Sequence, residues 1–433
     1  MRVIAVWVLL GLFYVLPWIN IAGKQSVLFD LPARKFYIFG FTFWPQDFVY
    51  LALLLITAGL TLFFVTALAG RLWCGYACPQ TVWTDVFIRI ERWIEGDRAK
   101  RMKLDKAPWS AEKVVRKSSK QLVWILFALW TGFTFVGFFS PIRDLALSVV
   151  SFSLGPWETF WGIFYSVATY GNAGFLREQV CKYMCPYARF QSAMFDKDTL
   201  IISYDEERGE PRGGRRKKDK RADTGLGDCI NCTLCVQVCP TGIDIRNGLQ
   251  YECIACAACI DVCDQVMDKM GYDRGLVRYT TEHALKHKEG HVIRPRLMVY
   301  GALLLVIICG TLWSMVNRIP LRADLIRDRN ALYRELPGDV IENVYTLKIT
   351  NMDARAHGYQ LVPIDNEQVE IDLDKPLELG AEEVSGIIVR LRLPKSAGKG
   401  VQNIDLELSA TDDPSIRREI EAKAMMPLGI GGR

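Results

Sequence analysis

The run Cys229-x2-Cys232-x2-Cys235-x3-Cys239-Pro240 is followed by Cys253-x2-Cys256-x2-Cys259-x3-Cys263-Asp264. This is the spacing by which a bacterial-type ferredoxin holds two [4Fe–4S] clusters. Each short loop delivers three thiolates to one cubane, and its fourth cysteine reaches across to the other. Cys229, Cys232, Cys235 and Cys263 are therefore expected to hold one cluster, and Cys253, Cys256, Cys259 and Cys239 the second. Neither a disulfide framework nor a zinc site needs two copies of this spacing. Asp264 stands where the first run has Pro240. Ligation does not require proline there, and the added charge is expected to lower the potential of the neighbouring cluster.

Two further pairs lie outside this module: Cys74 with Cys78-Pro79, and Cys181 with Cys185-Pro186. Both read Cys-x3-Cys-Pro. On a helix, residues i and i+4 share a face, so each pair is expected to align its sulfurs. Four soft donors brought together suit a third Fe–S cluster; two or three suit Cu(I). Dithiol–disulfide cycling is a further use of the same groups. Cys309 stands alone in an apolar run and reads as a packing residue. His283, His287 and His291 recur at helical spacing, but Gly290 interrupts them and no cysteine or carboxylate motif accompanies them. They are not expected to ligate.

The elements that position these groups are largely membrane helices. Half of the 433 residues are hydrophobic, and they are concentrated in long uncharged stretches. A spanning helix needs about 20 apolar residues. Val3–Ala22, Phe48–Ala69, Leu122–Phe139 and Leu297–Val316 meet or approach that length, and Leu145–Tyr170 is a weaker fifth candidate carrying Glu158 and the breaker pair Gly155-Pro156. The first stretch lacks a small-residue cleavage site and reads as an anchor. Segment 70–120 holds twelve Lys/Arg against three in 23–47. By the positive-inside rule, 70–120 and 171–296 are cytoplasmic, and 23–47 and 317–433 lie outside. Both Cys-x3-Cys-Pro pairs then fall at the cytoplasmic face, on the ferredoxin's side, where reducing conditions protect clusters. The net charge of +5 is mostly this inside-positive bias and excludes a nucleic-acid partner as the default.

The organisation expected is thus a multi-domain integral membrane protein. An α-helical transmembrane bundle of about five spans with the two Cys-x3-Cys-Pro motifs occupies residues 1–200. A basic flexible connector follows (201–227), rich in Gly, Lys and Arg; the ferredoxin occupies 228–290 and the last span 297–316. Beyond residue 320 the pattern alternates apolar and polar. Val344–Thr350, Glu367–Leu373, Val384–Leu393 and Ile404–Ser409 read as strands. About seven such strands predict an all-β immunoglobulin-like sandwich over 320–433, suited to docking.

The runs GRLWCGYACPQTVWTD (70–85), ERWIEGDRAKRMKLDKAPWS (91–110), TYGNAGFLREQVCKYMCPYARFQSAMFD (169–196) and YECIACAACIDVCDQVMDKM (251–270) resemble the CcoG/FixG (RdxA-like) family. These are cytochrome c oxidase accessory proteins of the proteobacterial inner membrane. The resemblance implies a role in biogenesis of cbb3-type cytochrome oxidase by reduction of Cu(II) to Cu(I). It implies membrane lipid, oxidase assembly factors and copper transporters or chaperones as partners, with an unnamed electron donor. Related membrane polyferredoxins of nitrate and nitrous oxide respiration share the paired motif. The alternatives are therefore a conduit for another respiratory pathway, or a non-catalytic assembly scaffold.

Overall fold

The computed structural model describes residues 2–21, 23–216, 225–286, 293–364 and 368–427. The chain forms two compact units, Met1–Thr311 and Leu312–Arg433.

The first unit opens with helix α1 (Arg2–Val15), a two-stranded ribbon β1 (Asn20–Ile21) and β2 (Lys24–Gln25), and a small antiparallel sheet of β3 (Val27–Asp30), β4 (Lys35–Ile38) and β5 (Phe41–Phe43). Helices α2 (Phe48–Ala69), α3 (Leu72–Tyr76), α4 (Pro79–Glu95), α5 (Arg98–Lys106), α6 (Ala111–Val136), α7 (Ile142–Val150) and α8 (Pro156–Thr169) follow. Among the described residues, three helical stretches are long and apolar enough to cross a membrane: Pro45–Ala69, Ala111–Val136 and Pro295–Val316. On α2 and Pro295–Val316 apolar side chains such as Leu54, Leu55, Val306 and Trp313 face outward. Water disfavours such a surface, and lipid accepts it. The first predicted span is a shorter apolar helix, Val3–Trp18.

Two predicted spans differ in detail. The third is longer than Leu122–Phe139: α6 starts at Ala111, with the Ser110 hydroxyl accepting from the Lys113 amide. Its charged first turns stay helical because their lysines are paired. Lys120 lies 2.9 Å and Lys117 3.1 Å from the buried Glu95 carboxylate. The stretch Leu145–Tyr170 is not one helix. It divides into α7 and α8, because Pro156 can occupy the first helical turn but cannot continue a preceding helix. The Glu158 carboxylate accepts from the Gly155 amide at 3.0 Å and fixes the new start. α8 then packs closely on α6. A Cβ on Gly132 would lie 2.5 Å from the Gly162 carbonyl oxygen, the small-residue contact common between membrane helices.

After α8 the chain passes through two π-helical turns, Tyr170–Leu176 and Val180–Met184, into α9 (Pro186–Ala193). The ferredoxin region is tied together by β6 (Ile201–Tyr204) pairing antiparallel with β7 (Val277–Thr280). Ile202, Tyr204, Val266, Met267, Leu276 and Val277 form its core. The connector expected at 201–227 is therefore structured at its start. Arg208 pairs with Asp228 at 2.6 Å, and Arg215 lies over the Tyr272 ring at 5.0 Å. Burial and ion pairing order residues 201–216 despite their polar composition. The basic run 217–224 lies outside the described residues, as do His287 and His291. His283 sits in a single turn, Glu282–Leu285, with its Nδ1 2.8 Å from Asp198.

The second unit is built from β8 (Leu321–Arg327), β9 (Arg334–Leu336), β10 (Val340–Asn351), β11 (His357–Pro363), β12 (Glu370–Leu373), β13 (Glu378–Leu379), β14 (Val384–Pro394), β15 (Gly400–Ala410) and β16 (Arg417–Met426). One sheet runs β12-β14-β10-β8 with β9 on β10; the other runs β13-β11-β15-β16. Alternate residues such as Leu347, Ile349, Val389, Leu391, Leu406 and Leu408 are buried, as a two-sheet sandwich requires. The predicted strand beginning at Glu367 is seen from Glu370; residues 365–367 lie outside the described residues.

Candidate functional site

The ferredoxin cysteines are gathered by two loops of the same shape. In the first, Asn231 and Thr233 have positive φ (52° and 57°); in the second, Ala255 and Ala257 do (53° and 62°). None is glycine, and left-handed backbone is costly for a β-branched residue such as Thr233. The same conformation at matched positions gives both loops the same tight curl. One hollow is lined by Cys229, Cys232, Cys235 and Cys263. A second is lined by Cys239, Cys253, Cys256 and Cys259; Cys235 borders both. Burial raises the thiol pKa of Cys235, Cys253 and Cys259, and pushes Cys263 up to about 12, with Cys235, Cys229 and Asp264 adding to the effect. Buried thiols that repel one another hold negative charge only against a cation. Among the described residues, no group of three or more His, Cys, Asp or Glu side chains is arranged around a single metal ion. A cubane does not require that, because each thiolate binds its own iron. Donor type, curled loops and cavities fit [4Fe–4S] clusters.

The paired motifs are built differently from the helix-face expectation. Cys74 lies in α3, but Cys78 has extended backbone (φ −61°, ψ 128°) and is the N-cap of α4. Cys181 lies in the π-turn Val180–Met184, and Cys185 is the N-cap of α9 with φ −78° and ψ 111°. Proline is the cause. It disfavours helical backbone at the residue before it while suiting the first turn of the next helix. Each Cys-Pro step therefore ends one helix and starts another, with the second cysteine as the N-cap of the helix that follows.

The four thiols lie within electrostatic reach of one another, although among the described residues no three of them are arranged around a single metal ion. Burial raises Cys74 to about 12 and Cys78, Cys181 and Cys185 add to it, while Arg71 opposes. Cys181 rises to about 11, mainly by burial, with Cys78 and Cys185 contributing. The Cys74 thiol donates to Gln191 Oε1 at 3.2 Å, and fully buried Gln191 donates to Thr66. Gln80, just past the first motif, donates to the carbonyls of Asn172 and Arg177 at 3.0 and 2.9 Å, ahead of the second. Buried Arg71 donates to the carbonyls of Cys253, at 3.4 Å, and Ala188. Arg71 and Gln191 were not among the residues singled out from the sequence. The signal for Arg71 was a lone cation between the uncharged α2 and Cys74. Cys309 is exposed on the helix Pro295–Val316.

Comparison with known proteins agrees with this layout. A family model for a 4Fe–4S dicluster domain matches residues 176–282, and one for a 4Fe–4S binding domain matches 51–99. A third, the immunoglobulin-like fold at the C-terminus of FixG, matches 311–427. The chain is 40% identical over 383 residues to the nitrogen fixation protein FixG of Rhizobium meliloti, covering 80% of this chain and 73% of that protein. It is 40% identical to protein RdxB of Cereibacter sphaeroides, covering 85% and 80%, and to protein RdxA of the same organism, covering 82% and 78%. With iron–sulfur family models over both cysteine constellations and relatives this similar over most of its length, the chain belongs to the FixG/RdxA-like family of iron–sulfur electron-transfer proteins.

Proposed function

We propose that this chain passes electrons from a one-electron donor through two [4Fe–4S] clusters to the site of Cys74, Cys78, Cys181 and Cys185, where Cu(II) is reduced to Cu(I) for assembly of a cbb3-type cytochrome c oxidase. Cys229, Cys232, Cys235 and Cys263 hold one cluster; Cys239, Cys253, Cys256 and Cys259 hold the other. The clusters supply one-electron chemistry when bound. The chain's residues gather the thiols, exclude water and balance charge. The observation that carries the reading is buried Arg71, which reaches both the Cys-x3-Cys-Pro region and the Cys253 carbonyl. Thiolates prefer Cu(I) to Cu(II), so copper bound by two or three of them is favoured in the reduced state. The family resemblance supplies copper and the oxidase. On this reading the protein is multi-pass in the bacterial inner membrane, with the ferredoxin cytoplasmic and the β-sandwich periplasmic. Oxidase assembly factors or copper transporters and chaperones are its partners.

A second reading, a third Fe–S cluster at the four thiols, is favoured by the match of a 4Fe–4S binding domain to residues 51–99, which include Cys74 and Cys78. Iron, acid-labile sulfide and copper analysis of anaerobically purified protein separates the two. About eight irons per chain with copper bound supports the first reading; about twelve irons supports the second.

A further inference from the structure

The two cysteine constellations touch, and they touch through one ferredoxin loop. Gly75, between Cys74 and Cys78, lies against the backbone between Cys253 and Cys256. A Cβ on Gly75 would stand 2.6 Å from the Ala255 carbonyl oxygen and 2.9 Å from that of Ile254. Both obstacles are backbone, so no rotamer change relieves them. Tyr279 donates to the same Ala255 oxygen at 2.9 Å, and its hydroxyl is 3.2 Å from that of Tyr76 in the first motif. Arg71 adds the tie to the Cys253 carbonyl; its Nε is buried without a hydrogen-bond partner. A cavity beside this contact is lined by Cys181 of the second motif together with Ile254 and Cys256. The cavity of the other cysteine set is bordered by Tyr204, Arg246 and Leu276, and no cysteine of that set shares the cavity lined by Cys181.

We infer that the cluster site of Cys239, Cys253, Cys256 and Cys259 is the electron exit to the four-thiol site, and that Gly75 and Arg71 are positioning residues that hold its loop against the first motif. The inference rests on the four-thiol site being the acceptor. It adds an order: the Cys229/Cys232/Cys235/Cys263 site is upstream. Each transfer moves one electron. The reduced iron–sulfur centre loses it, Cu(II) gains it and becomes Cu(I), and no proton moves and no covalent bond of the chain changes. A low-potential one-electron carrier resupplies the upstream site. Transfer between centres falls steeply with separation, so a backbone-to-backbone contact that only glycine permits favours this exit.

The test uses full-length protein in detergent, reduced anaerobically and mixed with Cu(II), with cluster reoxidation followed by absorbance and iron content measured in parallel. Cys232→Ser, which disables the upstream site, is expected to leave a cluster that Cu(II) reoxidises at close to the wild-type rate. Cys256→Ser, which leaves the upstream site, is expected to react at least about tenfold more slowly. Gly75→Val is expected to slow reoxidation by a similar factor with both clusters retained and reducible by dithionite. If that variant does not fold, Gly75→Ala and Arg71→Gln are read instead, and the two serine variants carry the test independently. Faster reaction in Cys256→Ser than in Cys232→Ser overturns the exit assignment, as does a wild-type rate in a cluster-replete Gly75→Val protein. A Cys78→Ala/Cys185→Ala protein that reoxidises like wild type overturns the acceptor reading itself; a slow double variant beside a fast Gly75→Val overturns only the exit.

Discussion

Serine in place of Cys232 or Cys256 keeps the side chain's shape but exchanges a soft sulfur donor for a harder oxygen. Each variant is expected to lose one reduced-state [4Fe–4S] EPR signal and about half of its iron while staying in the membrane. Unchanged iron and spectrum in both would refute the ligand assignment. These cysteines were legible because their types and spacing carry the chemistry. Gly75 and Arg71 were not, because their part is set by a loop 180 residues away that no local pattern announces. His357 shows the same limit. It is buried, with Nδ1 2.8 Å from Asp412 and Nε2 3.0 Å from Asp353. Burial lowers its pKa, but both carboxylates raise it, and the net shift is upward. The clamp therefore contributes its full stability below the ordinary histidine value of about 6.5 and loses it as pH rises through the raised value. Exchange protection of the Thr411 amide, which donates to Gly358, should fall across that window after correction for intrinsic rates. His357→Gln should abolish the pH dependence, and an identical pH dependence in that variant would remove the clamp from the account.

At the scale of elements, proline did most to separate pattern from outcome. The i, i+4 spacing of Cys74 and Cys78 implied one helix face, yet Pro79 moves Cys78 to the start of α4, and Pro186 does the same for Cys185. Pro156 likewise divides a predicted span into α7 and α8. The helix α2 follows its uncharged apolar run, and the strands of the sandwich their alternation, because nothing in them overrides it. The α6–α8 contact is a tertiary feature with a direct test. Gly132→Leu must displace the Gly162 backbone or Ser166, and overpacking of this kind costs about 1–3 kcal/mol. The variant should melt at lower temperature in detergent with its ferredoxin clusters intact. An unchanged melting temperature would mean that the two helices do not pack this closely in the membrane.

For the whole molecule, three long apolar helices and the arginine- and lysine-rich segment 70–120 frame the question of sides. With the ferredoxin cytoplasmic and the sandwich periplasmic, a reporter active only in the periplasm should work when fused after Arg433 and fail when fused after Met270. Activity at Met270 would reverse the topology. The proposed sidedness matters because it would place the ferredoxin and all four Cys-x3-Cys-Pro thiols in one reducing compartment, so that donor and acceptor would need no transmembrane electron path. The central claim is that these four thiols, supplied by the ferredoxin clusters, are where the electron leaves. The most direct measurement is anaerobic reoxidation by Cu(II) of dithionite-reduced Cys78→Ala/Cys185→Ala protein beside wild type. The account predicts that wild type yields one Cu(I) per electron stored, whereas the double variant keeps both ferredoxin clusters reducible but no longer reoxidises them faster than a free ferredoxin does. Wild-type copper turnover in that variant, with both clusters present, would contradict it.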